Sequence, residues 1–226
     1  MDYYIYYGLT ILAFIITSLA QAFVMGTYKK YSNGSVRKNI TGAQAARMIL
    51  DKADLQDVSV VEVDGYLSDH YDPSKKEVRL SKTNFSGSSI ASVSVASHEC
   101  GHAIQDKVGY SFMRIRASLV PIVNFSSYAG YIAIAIGLAL SSLKLVFVGI
   151  ALEIVILLFQ IVTLPVEIDA SRRALKEIDK YSFLEGDEYK KGKTVLIAAA
   201  LTYVASVASA LLEILRLVLV FGRKNK

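Results

Sequence analysis

Not one charged residue falls within residues 3–25. A helix rises about 1.5 Å per residue, so a stretch of that length outruns the roughly 30 Å hydrocarbon core of a bilayer. Three further apolar blocks follow at 119–143, 145–165 and 195–221, interrupted only by Glu153, Glu213 and Arg216. The break Ser141-Ser142-Leu143-Lys144 makes the middle two an antiparallel hairpin. With 53% apolar residues and a mean hydropathy of +0.40 gathered into such blocks, the chain reads as mainly α, a set of integral membrane helices. Ala20-Gln21-Ala22 has the small residues of a signal-peptidase site, but Met1-Asp2-Tyr3 carries no basic group, so the first segment is expected to remain as an anchor.

Charge sets the expected orientation. Lys29, Lys30, Arg37 and Lys38 follow the first span, Arg114 and Arg116 precede the second, and residues 166–194 are also rich in Lys and Arg. Both loops are therefore expected on the cytoplasmic side of the cell membrane, with the amino end outside. The tail Arg223-Lys224-Lys226 opposes a full crossing by the segment 195–221, which leaves a re-entrant or interfacial course as the alternative. The net charge of +5 is accounted for by topology, and no nucleic-acid partner is expected. A lone Cys100 rules out a disulfide framework and a cysteine-ligated zinc finger.

Residues 26–118, with the loop 166–194, are left to form a small cytoplasmic α+β domain. Thr41-Gly-Ala-Gln44 fits a capping box, and Ala45, Met48, Ile49 and Ala53 recur at helical spacing, predicting a helix over 42–53. Residues 58–63 and 77–81 read as strands bracketing the turn Asp72-Pro73-Ser74-Lys75-Lys76. A Ser-, Ala- and Val-rich helix is predicted from Ser88 to Lys107, ending near Gly109.

Within that helix stands His98-Glu99-Cys100-Gly101-His102. Two imidazoles four residues apart project from one helix face and can meet a single Zn2+, with Glu99 between them placed to act on a water molecule. The bland alternative is a helix with two solvent-exposed histidines. A catalytic site needs a third protein ligand and an open position. His70, in the turn-like Ser-Asp-His70-Tyr-Asp-Pro, and Glu167, in the first turn of a helix expected to start at Pro165, are the candidates. Asp169 is placed to orient a histidine through its far ring nitrogen.

His98-Glu-Cys-Gly-His102-Ala-Ile-Gln, with Asp69-His70-Tyr71-Asp72-Pro73 and Val78-Arg79-Leu80-Ser81 before it and Leu164-Pro-Val-Glu167-Ile-Asp169-Ala-Ser-Arg-Arg-Ala after it, resembles the bacterial YugP-type membrane neutral zinc metallopeptidases over nearly the whole chain. More distantly it is similar to the gluzincin membrane peptidases of the heat-shock and CAAX-prenyl-protease type. The resemblance implies a zincin-like peptidase domain, one Zn2+ per chain, and Glu167 rather than His70 as third ligand. Those relatives usually carry Ala-Asp three and four residues after the ligand Glu; here Ala170-Ser171 occupies that place and Asp169 comes just before it.

The expected chemistry is metal-assisted hydrolysis of a peptide bond, with Glu99 as general base and then acid. Arg172, Arg173 and His70 are candidate donors to the developing oxyanion. The strand at Val78–Ser81 is expected to take an extended substrate by edge pairing. Glu167 lies two residues beyond the third span, so protein or peptide substrates at the bilayer surface are expected. His and carboxylate ligands also suit Mn, Co or Fe. Glu153 or Glu213 is expected to pair with Arg216 and tie the third and fourth segments, Cys100 to be a free buried thiol, and Tyr3, Tyr4, Tyr6 and Tyr7 to form an interfacial belt. Two other classes compete: a non-enzymatic membrane scaffold or partner-binding protein with structural zinc, which has no use for Glu99, and a transporter working through the intramembrane charges, for which four spans are few.

Overall fold

The computed structural model describes residues 2–222. The basic tail Arg223, Lys224 and Lys226 and the side chain of Tyr3 lie outside the described residues. Along the chain run α1 (Asp2–Tyr31), α2 (Gly42–Lys52), β1 (Ser59–Val63), β2 (His70–Asp72), β3 (Glu77–Ser81), α3 (Lys82–Ser86), α4 (Ile90–Lys107), α5 (Ser111–Ala139), α6 (Leu143–Lys180) and α7 (Asp187–Gly222). They divide into two units, one drawn from Met1–Gln21, Arg114–Pro165 and Leu201–Lys226, the other from Ala22–Met113 and Val166–Ala200.

The first unit holds the apolar segments. Four helices, Tyr4–Tyr31, Ser111–Ala139, Leu143–Lys180 and Asp187–Phe221, are long and apolar enough to cross a membrane. Leu140 to Ser142 close α5 and α6 into a hairpin, with Ser141 at φ 52 and the Ser142 amide donating to the Gly137 carbonyl at 2.8 Å. The helices approach closely there: a Cβ on Gly137 would fall 2.8 Å from the Val146 amide nitrogen. Val146, Ile150, Leu217 and Phe221 form the buried apolar cluster of this unit, while Phe14, Phe125 and Leu140 face outward, as residues in lipid should.

Two expectations change. The segment after Pro165 is no new helix, because α6 runs through it. Proline deprives the carbonyl four residues earlier of its donor, a loss that apolar spans tolerate. α7 is one unbroken helix, Asp187–Gly222. Arg216 pairs with Glu213 on the same helix, Nε donating to the carboxylate at 3.0 Å, because a spacing of three puts both on one face. The expected bridge between the third and fourth segments is therefore not made. Glu153 Oε1 is buried without a hydrogen-bond partner, as are Ser126 Oγ and Gln160 Oε1.

In the second unit α2 starts at the predicted capping box, Thr41 Oγ1 accepting from the Gln44 amide at 3.1 Å and Gln44 Oε1 from the Thr41 amide at 2.9 Å. Its face of Ala45, Ala46, Ile49 and Leu50 packs with Val93, Ala96, Cys100 and Ala103 of α4, and Val58, Val78 and Leu80 bring the sheet into the same core. The sheet order is β1-β3-β2, β1 parallel and β2 antiparallel to β3. The turn at Asp72 thus joins β2 to β3, a short strand having formed where a loop was expected. Asp72 Oδ1 holds the turn by accepting from the Ser74 amide at 2.9 Å.

A polar chain fixes the end of α1 to this unit. Tyr28 donates to Asn84 Oδ1 at 2.9 Å, Asn84 Nδ2 to Asp69 at 2.9 Å, and Asp69 accepts from the Ser81 amide at 2.8 Å. At the other end of the sheet, Tyr71 (2.9 Å) and Lys76 (2.6 Å) both donate to Asp106 near the end of α4. Burial, helped by the hydrogen bond to Asp106, pushes the Tyr71 phenol up, so it stays a donor at neutral pH.

Candidate metal centre

α4 opens on Ser89, whose hydroxyl accepts from the Ser92 amide, and runs with small buried residues along most of its length. Gly101 is the point of closest approach. A Cβ there would fall 2.4 Å from the carbonyl oxygen of Ala170 on α6, so only glycine lets the two backbones meet at this distance. Val166, Ala170, Ala174 and Ile178, spaced by four along α6, are fully buried and form the stripe that packs inward. Glu167 sits one residue from that stripe, where α6 can turn it toward His98 and His102.

The three side chains converge. Glu167 Oε2 lies 3.3 Å from His98 Nε2 and 3.5 Å from His102 Nε2, and one potential ligand atom from each residue falls within 4.8 Å of the others. The rings stand edge to face, with centroids 4.8 Å apart. Each far ring nitrogen is engaged elsewhere: His98 Nδ1 is 3.1 Å from Ser171 Oγ, and His102 Nδ1 is 3.0 Å from Gln105 Oε1. Such bonds hold the two rings with both Nε2 atoms turned toward Glu167. Two imidazoles and one carboxylate with a fourth position open are a ligand set that suits zinc.

Burial opposes charge on Glu167, but hydrogen bonds to His102 and His98 outweigh it and hold the carboxyl well below its ordinary value. Glu99, only 7% exposed, goes the other way: desolvation raises it, against the pull of the two imidazoles. Two carboxylates of one site thus have opposite tendencies, Glu167 toward charge and Glu99 toward a proton. Cys100 faces the core, its Sγ 3.6 Å from the Ala46 carbonyl, and burial pushes the thiol up, away from the thiolate a metal would need.

The remaining candidates separate. His70 is exposed on β2 with Nδ1 2.8 Å from the Ser68 carbonyl, outside the three-residue cluster. Arg172 is exposed, whereas Arg173 Nε donates to Asp169 at 2.6 Å. Asp169 reaches the histidines indirectly, accepting at 2.9 Å from Gln105, which in turn meets His102. β3, expected to offer an edge, is paired on both sides, so strand addition there is ruled out and the sheet edges are β1 and β2. The sequence reading gives Ser171 and Gln105 no role. Their signal was positional: Ser171 is four residues after Glu167, and Gln105 is three after His102 on the same helix.

The sequence model of a family described as "Putative neutral zinc metallopeptidase" matches residues 6–222. The chain is 43% identical over 213 residues to "Putative membrane protease YugP" of Bacillus subtilis (strain 168), covering 94% of this chain and 95% of that protein. No solved structure matches it. A match across nearly the whole chain, and a His-His-Glu cluster of the kind such a family needs to hold zinc, lead to one conclusion: the chain belongs to the neutral zinc metallopeptidase family.

Proposed function

We propose that the protein is a membrane-bound zinc metalloendopeptidase of gluzincin type, with His98, His102 and Glu167 holding one Zn2+ and Glu99 as general base. The observation that carries this reading is the convergence of the two Nε2 atoms and one carboxylate oxygen within 4.8 Å, with both Nδ1 atoms bonded elsewhere. Zinc held there supplies a Lewis acid that polarises the scissile carbonyl and brings the pKa of water down toward about 7.

Glu99 does the proton work. It accepts a proton from the attacking water and returns it to the leaving amine. A carboxyl whose burial favours the protonated form can hold that proton between the two steps. Arg173 is committed to Asp169, which leaves Arg172 and His70 as donor candidates for the oxyanion. Residues 26–118 serve as the catalytic domain and 166–194 bring in the third ligand. Their basic residues argue for the cytoplasmic side, and Glu167 follows the apolar block ending at Pro165 by two residues, favouring substrates in or beside the membrane.

The test is metal content and cleavage of casein and membrane-protein peptides by the purified protein in detergent, wild type beside Glu99→Gln. The expected result is about one zinc per chain in both proteins and cleavage by wild type alone. Zinc in both with cleavage by neither would favour a structural site, and absence of stoichiometric metal would overturn the proposal.

A further inference from the structure

Gln105 is fully buried beside the histidine cluster, a polar side chain that the proposed reaction does not use. Each of its polar atoms is committed. Nε2 donates to the Val166 carbonyl at 2.8 Å and to Asp169 Oδ2 at 2.9 Å, and Oε1 lies 3.0 Å from His102 Nδ1. Both partners of Nε2 are acceptors, and Asp169 is itself held by Arg173. The amide therefore cannot turn over, since that would set its oxygen against two buried acceptors and leave them unpaired.

We infer that Gln105 is a positioning residue that fixes His102 as the Nδ1–H tautomer and aims its Nε2 lone pair at the metal position. With Oε1 facing the ring, only an Nδ1–H satisfies the contact, so in the neutral ring that a metal requires, the lone pair falls on Nε2, the nitrogen 3.5 Å from Glu167. The two histidines differ in this respect. Ser171 Oγ can donate or accept, so it supports either tautomer of His98, whereas Gln105 admits one tautomer of His102. Arg173 and Asp169 act behind Gln105 by holding its amide in place. The inference rests on the metal reading above and assigns control of metal affinity to a residue that is not a ligand.

The experiment is zinc affinity by chelator competition, with the d–d absorption of the Co2+-substituted protein and the melting temperature of the metal-free protein, all on the full chain in detergent. Gln105→Met is close in volume but removes the acceptor. Gln105→Glu keeps an acceptor facing Nδ1–H but loses both donated bonds. A positioning role predicts zinc binding weaker by about 10–100-fold in Gln105→Met, with an altered Co2+ spectrum, and binding restored toward wild type in Gln105→Glu. A purely structural role predicts equal loss in both, because both lose the bonds to Val166 and Asp169. Equal loss, or wild-type affinity in Gln105→Met, overturns the inference while leaving the metal centre intact. A wild-type protein that takes up no zinc overturns the metal centre and this inference with it. Should Gln105→Met fail to fold, Gln105→Asn, one methylene shorter, replaces it with the same expectation.

Discussion

Most polar side chains buried in the second unit are tied into hydrogen bonds, Ser94 Oγ being an exception, whereas several set in the apolar segments are not. Around the histidines and at the end of α1 the groups interlock: Gln105 meets three partners, and Asn84 joins Tyr28 to Asp69. In the apolar segments Ser126, Glu153 and Gln160 each leave a buried oxygen without a hydrogen-bond partner, and Arg216 turns to its own helix. Interlocking matters where geometry must be held to fractions of an ångström, as at a metal centre. The apolar helices hold together by shape instead, with glycines at Gly137 and Gly149 letting α5 and α6 touch.

That contrast can be broken, most severely at the ligands. Glu167→Ala removes one of three ligand atoms and should abolish stoichiometric zinc binding; chelator-resistant zinc in the variant would mean the cluster is not the site. Next comes the helix contact behind it. Gly101→Ala puts a Cβ against the Ala170 backbone, which cannot yield, whereas Gly149→Ala meets chiefly the side chain of Ile134, which can change rotamer. Gly101→Ala is expected to cost about 3 kcal/mol and Gly149→Ala clearly less, read as unfolding in detergent. Equal losses would show that α4 and α6 separate more easily than their packing implies.

Smaller effects sharpen the comparison. Asn84→Leu strands the Tyr28 hydroxyl and one side of Asp69, and a loss of about 1–3 kcal/mol is expected from the melting temperature. Ser126→Ala removes a hydroxyl whose oxygen has no hydrogen-bond partner, so a change within about 0.5 kcal/mol is expected. If Ser126→Ala proved as damaging as Asn84→Leu, the distinction between the two units would fall.

Much of this was legible in the residues. Uncharged runs long enough to cross a bilayer, Thr41 with Gln44 at the start of α2, and His98 with His102 one turn apart are local patterns, and each depends only on helical periodicity. Glu167 was a candidate beside His70 and was preferred through resemblance, because nothing local marks a carboxylate 65 residues beyond His102 as its neighbour. Arg216 misled for a related reason. Its charge demanded a partner, and Glu213, one of the two carboxylates expected, is that partner, but the pair closes on one helix and so does not tie the third and fourth segments. β3 was misjudged because an edge and a centre strand can carry the same pattern when both faces are covered.

The sequence by itself determined the helices long and apolar enough to cross a membrane, the turn of α4 that sets His98 and His102 on one face and the carboxylate of Glu99 between them, since these follow from residue type and spacing along one element. Tertiary structure alone decided which nitrogen of each histidine is tied back, that Ser171 stands behind His98 and Gln105 behind His102, and that Gly101 permits the approach of α6. Those contacts join positions dozens of residues apart, and only the packing of two helices against each other brings their side chains within hydrogen-bond reach.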